Sequence, residues 1–89
     1  MIDPGRLEVT DHAAERIRLM QGQEGRMRRE DISAALMRPE QVRWSDEHGS
    51  WVWVGERVAV AATVTDGATT IRTVMWATEE LWAENPRPQ

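Results

Sequence analysis

The hydrophobic period of this chain changes once, near Pro39: apolar positions recur every three or four residues before it and alternate after it. In the first stretch Ala13, Ile17 and Met20 fall at i, i+4 and i+7, which predicts an amphipathic helix from Asp11 to Met20 with Glu15 and Arg18 facing out. Thr10 or Asp11 supplies its N-cap. Gly22 and Gly25 end the pattern, so the run Gln21 to Gly25 reads as an exposed loop. A second helix is predicted over Arg29 to Arg38, with Ile32, Ala35 and Leu36 as its stripe. Glu30 and Asp31 suit the positive end of that helix, and Pro39 forbids continuation.

Alternation begins at Val42. Val42-Arg43-Trp44 and Trp51-Val52-Trp53-Val54 flank the turn residues Asp46 to Gly49, which makes a hairpin whose register the pattern leaves open. Val58 to Val64 forms the next strand, and Asp66-Gly67 is the signature of a type I′ hairpin turn. With those two residues as the loop, Val64 pairs with Thr69, Ala62 with Ile71, Val60 with Thr73 and Val58 with Met75. Ile71 and Met75 then share the core face. Thr70, Arg72, Val74 and Trp76 take the other, where Arg72 rises from a floor of Ala59, Ala61 and Thr63 that could serve as a shallow anion site. Leu7-Glu8-Val9 offers a short edge strand, and Thr78-Glu79-Glu80 starts a short C-terminal helix running through Leu81, Trp82 and Ala83.

The expected fold is therefore α+β: two N-terminal helices packed on a four-stranded antiparallel β-meander. Eighty-nine residues give one domain, because a second core would bury too little surface to offset chain entropy. Its ordered core is expected over about residues 7–84, with flexible ends at 1–6 and 85–89.

Composition narrows the chemistry. There is no Cys, which excludes disulfides, thiolate metal sites and cysteine nucleophiles. His12 and His48 lie in different elements, so neither a metal site nor a cofactor is expected. No stretch approaches the ~20 apolar residues of a membrane span, so a cytoplasmic protein with no membrane partner is expected. All eleven basic residues are Arg; residues 1–43 carry eight Arg and eight acids, and residues 44–89 three Arg and seven acids. The formal charge of −4 thus lies in the second half. That skew argues against broad nucleic-acid affinity.

Three groups of residues carry candidate chemistry. His12 and Arg16, one turn apart, share a helix face. A His of ordinary pKa ~6.5 beside a permanent cation is what general acid–base cleavage of RNA uses; the structural alternative is that His12 packs or caps while Arg16 pairs with Glu15 or Glu8. Arg28 and Arg29, with Arg26, stand at the positive end of the second helix, either as a solvated loop neutralised by Glu24, Glu30 and Asp31 or as phosphate contacts. The five Trp supply all the aromatic area, so most should be core. Trp44, Trp51 and Trp53 cannot all turn inward, and the exposed remainder suits a homodimer seam, a partner surface or a platform for bases.

The segments Val9-Thr10-Asp11-His12-Ala13-Ala14-Glu15-Arg16, Arg29-Glu30-Asp31-Ile32, Pro39-Glu40-Gln41-Val42 and Ile71-Arg72-Thr73-Val74 together resemble small bacterial and phage domains with an H-A-x-x-R opening, related to RelE/ParE-type toxins. The resemblance spans about residues 9–77. It implies two helices on a curved antiparallel sheet and an ancestry among RNA-cleaving or gyrase-inhibiting toxins. By motif, it implies His12, Arg16 and Arg72 as catalytic residues, with Thr73 as a neighbour on the same strand; Arg28 and Arg29 are candidate substrate contacts from the charge of their cluster rather than from the motif. The function expected on this basis is a toxin-like endoribonuclease, with RNA or an antitoxin protein as partner. The alternative is a non-catalytic phage or mobile-element module that binds a host protein through a Trp-rich sheet.

Overall fold

The computed structural model describes residues 7–81 and residue 85. Expectations for residues 1–6, 82–84 and 86–89, including Trp82 and Ala83 of the C-terminal helix, lie outside the described residues.

Both helices start where local polar chemistry starts them. Helix α1 (Asp11–Gly22) is capped by Thr10, whose hydroxyl accepts the Ala13 N–H at 3.1 Å. It runs two residues past Met20, into Gly22. Helix α2 (Arg29–Met37) follows Arg28, which has no side-chain acceptor; Asp31 supplies the cap instead, its carboxylate accepting the Arg28 N–H at 2.9 Å. Arg38 stands just beyond its end, before Pro39.

The strands are β1 (Leu7–Val9), β2 (Gln41–Ser45), β3 (Ser50–Val54), β4 (Val58–Thr65) and β5 (Ala68–Trp76). They form one five-stranded mixed sheet in the order β1-β5-β4-β3-β2, in which β1 runs parallel to β5. This overturns the expected four-stranded antiparallel meander. The reason is the continuity of β1 with α1: a strand that leads directly into a helix lying along β5 reaches only the outer edge of β5, and in the same direction. After Trp76 the described residues make a hydrogen-bonded turn rather than a helical turn sequence, Leu81 N–H donating to the Thr78 backbone and side-chain oxygens.

The β4–β5 pairing begins as the hairpin turn dictates. Asp66 and Gly67 have φ of 52° and 79°, and Val64 faces Thr69 and Ala62 faces Ile71. The register then slips, because a β-bulge at Arg72 leaves Ala61 opposite Thr73, Val60 opposite Val74 and Val58 opposite Trp76. Every residue after the bulge changes face. Met75 therefore leaves the core face, and Val74 and Trp76 enter it, contrary to the uniform pairing. Burial explains the preference: regular pairing would turn Thr73 and Met75 toward the helices, whereas the bulge buries Val74 and the whole Trp76 indole there, a larger apolar area.

The main core lies between the helices and the sheet. Ala13 and Met20 of α1, Met27, and Ile32, Ala35 and Leu36 of α2 meet Val58, Val60, Ala62, Ile71, Val74 and Trp76. A smaller cluster of Val52, Ala59 and Ala61, with Val54, Met75 and Ala77, sits on the sheet's other face. Gly55 lets β3 and β4 approach α2: a Cβ there would lie 2.8 Å from the Ala35 Cα. Trp76 is wholly buried and Trp53 packs partly against the main core, but Trp44 and Trp51 are half-exposed. Two of the four described Trp are thus surface residues, against the expectation that most are core. The helices pack chiefly on β5 and β4, with α2 also reaching β3.

Candidate functional site

The first turns of α1 are fastened to β5 at the bulge. Thr10 N–H donates to the Ile71 carbonyl at 3.1 Å, and the Thr10 hydroxyl donates to the Arg72 carbonyl at 3.3 Å. Two turns on, Arg16 Nε donates to the Val74 carbonyl at 3.1 Å. His12 lies between these anchors, exposed, on the helix face it shares with Arg16. The structure thus brings the start of α1 with His12 and Arg16 to the Arg72–Val74 segment, where Arg72 is exposed. His12 also stands in the first turn, where the helix dipole is positive.

The three residues differ in what else they do. Arg16 is partly buried, and loss of hydration lowers its guanidinium from its ordinary value; an arginine nevertheless stays charged. Its bond to Val74 is structural, since it supplies a donor to a β5 carbonyl beyond the reach of β1. Arg72 bears no such duty through its side chain among the bonds described. Because Thr73 faces Ala61, the bulge turns it to the sheet side away from the helices, next in sequence to Arg72. Among the described residues its buried hydroxyl finds no hydrogen-bond partner, and neither does that of Ser50 on the same side. Glu8, paired with Thr70, accepts the Thr70 hydroxyl at 3.4 Å and adds a carboxylate near this end of β5.

Arg28 and Arg29 stand elsewhere. Both are exposed, and the Asp31 carboxylate that caps Arg28 also binds Arg57 at 3.0 Å. Arg57 in turn donates to the Gly25 carbonyl and lies 5.7 Å from the Trp76 ring centre. That places the start of α2 at the Trp76 end of β5, about 13 Å along the strand from Arg72 at ~3.3 Å per residue. Arg29 instead joins Glu30, Ser33, Ala34, Met37 and Arg38 in a shallow groove on the outer side of α2. The structure does not bring Arg28 and Arg29 to the His12–Arg72 surface.

Arg57 is the residue that sequence reasoning passed over. It ties the α1–α2 loop, α2 and β5 together, with the Asp31 side chain only 9% exposed in their ion pair. The Trp76 indole N–H donates to Gln23 at 2.7 Å, and a Cβ on Gly25 would meet the Trp76 ring at 2.9 Å, so glycine is required there. Nothing in Gly55-Glu56-Arg57 announces this role, because each partner is more than 18 residues away.

A second surface is apolar. Trp44 and Trp51 face each other across β2 and β3 in an edge-to-face pair, 5.5 Å between ring centres and 81° between planes. They are 52% and 49% exposed, with Val42 beside them and Val64 further along the same side of the sheet. The Trp44 indole N–H donates to Asp46 at 2.9 Å, which orients the ring.

Among the described residues no group of His, Asp and Glu is arranged to hold a metal, and no helix is long and apolar enough to cross a membrane. Comparison with known proteins gave no match: no family model, curated protein or solved structure aligns significantly with this chain.

Proposed function

We propose that the α1–β5 junction acts on an RNA phosphodiester, as a toxin-like domain of the RelE/ParE type would. His12 serves as general acid or base, Arg72 holds the phosphate, and Arg16 is a positioning residue that keeps α1 on β5 and adds fixed positive charge. The observation that carries this reading is the pair of anchors flanking His12, Thr10 to Arg72 and Arg16 to Val74, which puts the His12 and Arg72 backbones on adjoining surface. The β-bulge at Arg72 fits it, since bulges are enriched beside active sites, where they re-aim a side chain.

The test is induced expression of wild type, His12→Ala and Arg72→Ala at matched soluble levels, with total RNA examined alongside growth. Arrest with RNA cleavage that both substitutions abolish is the expected result. Absence of arrest, or arrest indifferent to both substitutions, overturns it.

A second reading is a partner-binding module, with a host protein or an antitoxin as the partner. Its specific support is the half-exposed Trp44–Trp51 pair, since aromatic residues concentrate binding energy at protein interfaces.

A further inference from the structure

The two sides of the sheet order end differently, and the β2 end is open. Among the described residues β2 has a neighbour on one side alone, β3. Its five residues, Gln41–Ser45, span about 16 Å of extended backbone. Val42 and Trp44 point to the same side of the sheet as Trp51, and all three are exposed. The ends of this strip are acidic: Glu40 precedes β2, and Asp46 and Glu47 follow it. Arg43 is the single cation on the strand, and it alternates to the other side of the sheet. The acidic excess of residues 44–89, seven acids against three Arg, has the same sign.

We propose that this edge takes an extended cationic peptide strand from a partner protein, which adds to the sheet alongside β2. The inference rests on the partner-binding reading and deepens it. Main-chain bonds to β2 supply affinity, as in other cases of strand addition. Alternate Arg or Lys side chains of the incoming strand lie on the side of Val42 and Trp44, where their stems cover the apolar strip and their charged ends meet the faces of the exposed indoles and the carboxylates that flank β2, while its apolar side chains fall opposite Arg43. A second copy of this chain fits worse. The symmetric pairing that keeps all five β2 residues matched sets one Arg43 directly opposite another, and like charges in that position are destabilising.

The probes are two synthetic ten-residue peptides, one alternating Arg with Val and one alternating Glu with Val, added to the full chain. Amide hydrogen exchange at Gln41–Ser45 and the indole N–H signals of Trp44 and Trp51 are followed together. The expected result is slowed exchange along β2 and shifted indole signals with the Arg-Val peptide alone. Binding should be weakened roughly tenfold by Trp44→Ala and a few-fold by Asp46→Asn with Glu47→Gln, the latter also flattening the salt dependence. Equal binding of the Glu-Val peptide overturns the proposal. So does β2 protection before any peptide is added, accompanied by a dimer in sedimentation. Indole shifts with unchanged β2 exchange overturn strand addition yet leave the partner-binding reading standing, whereas silence at both indoles and β2 removes both.

Discussion

The two edges of this sheet are treated in opposite ways. At the β5 edge, β1 pairs with residues 69–71, and side chains then cover the next backbone groups in turn: Thr10 donates to the Arg72 carbonyl, Arg16 to Val74 and Asn85 to Trp76, while the Asn85 side-chain oxygen accepts the Trp76 N–H. At the β2 edge Gln41 to Trp44 are exposed, and among the described residues no strand lies beyond them. An unpaired edge is a template for another strand, so proteins normally close or blunt it. Here the closed edge holds the His12–Arg72 surface in place, and the open edge carries the exposed indoles. The difference teaches that one sheet can satisfy its backbone groups with side chains at one end and leave them available at the other.

Substitutions should separate the two ends by size of effect. Trp76→Ala removes the largest wholly buried side chain and should cost about 3–5 kcal/mol, seen as a fall in Tm or in the urea midpoint. Arg57→Ala removes the Asp31 pair, the Gly25 bond and the contact with Trp76 together. It should cost about 1.5–3 kcal/mol, as for bonds to charged groups, and Arg57→Lys should recover less than half because the ammonium lacks the guanidinium fork.

Arg16→Met and Thr10→Ala strike the anchors themselves, at about 1–2 kcal/mol each. If the α1–β5 junction cleaves RNA as proposed and the closed edge matters only for stability, their loss of cleavage will track loss of folded protein. If it positions His12, cleavage will fall further than the folded fraction measured by circular dichroism in the same samples. At the open edge Trp44→Ala should stay within about 0.5 kcal/mol of wild type, and a larger loss would show that the indole pair supports the fold.

The smallest effect belongs to the outward face of α1. Glu15 accepts two bonds from Arg18, one at 2.6 Å, and that hydrogen bond, followed by the Arg18 charge, holds its carboxyl below the ordinary value. A carboxyl lowered in the folded state stabilises above its unfolded pKa and loses that contribution as pH falls through the folded one. The melting curves of wild type and Glu15→Gln should therefore differ slightly at neutral pH and converge in acid or in high salt.

Local pattern and tertiary outcome parted at identifiable residues. The stripes Ala13-Ile17-Met20 and Ile32-Ala35-Leu36 and the Asp66-Gly67 turn lie in helices and a hairpin because each is a short-range signal, a period or a dihedral preference carried by the residues themselves. The bulge at Arg72 carries no such mark. Thr70 to Trp76 reads as an unbroken strand, and the slip is decided by which of Met75 and Trp76 the helices have room to bury. Likewise His12 and Arg16 can be paired from spacing, but their approach to Arg72 depends on β1 docking in parallel, and the Asp31–Arg57–Trp76 network joins residues from three elements.

By itself, then, the sequence determined the helices, the strands, the I′ turn and the acidic character of the second half, since each follows from neighbours within a few positions. Tertiary structure alone decided the parallel β1, the face on which Trp76 lies, the duties of Arg16 and Arg57, and which edge was left open. Those outcomes turn on competition for buried area and on pairing stranded backbone groups, and both are settled only when distant segments meet.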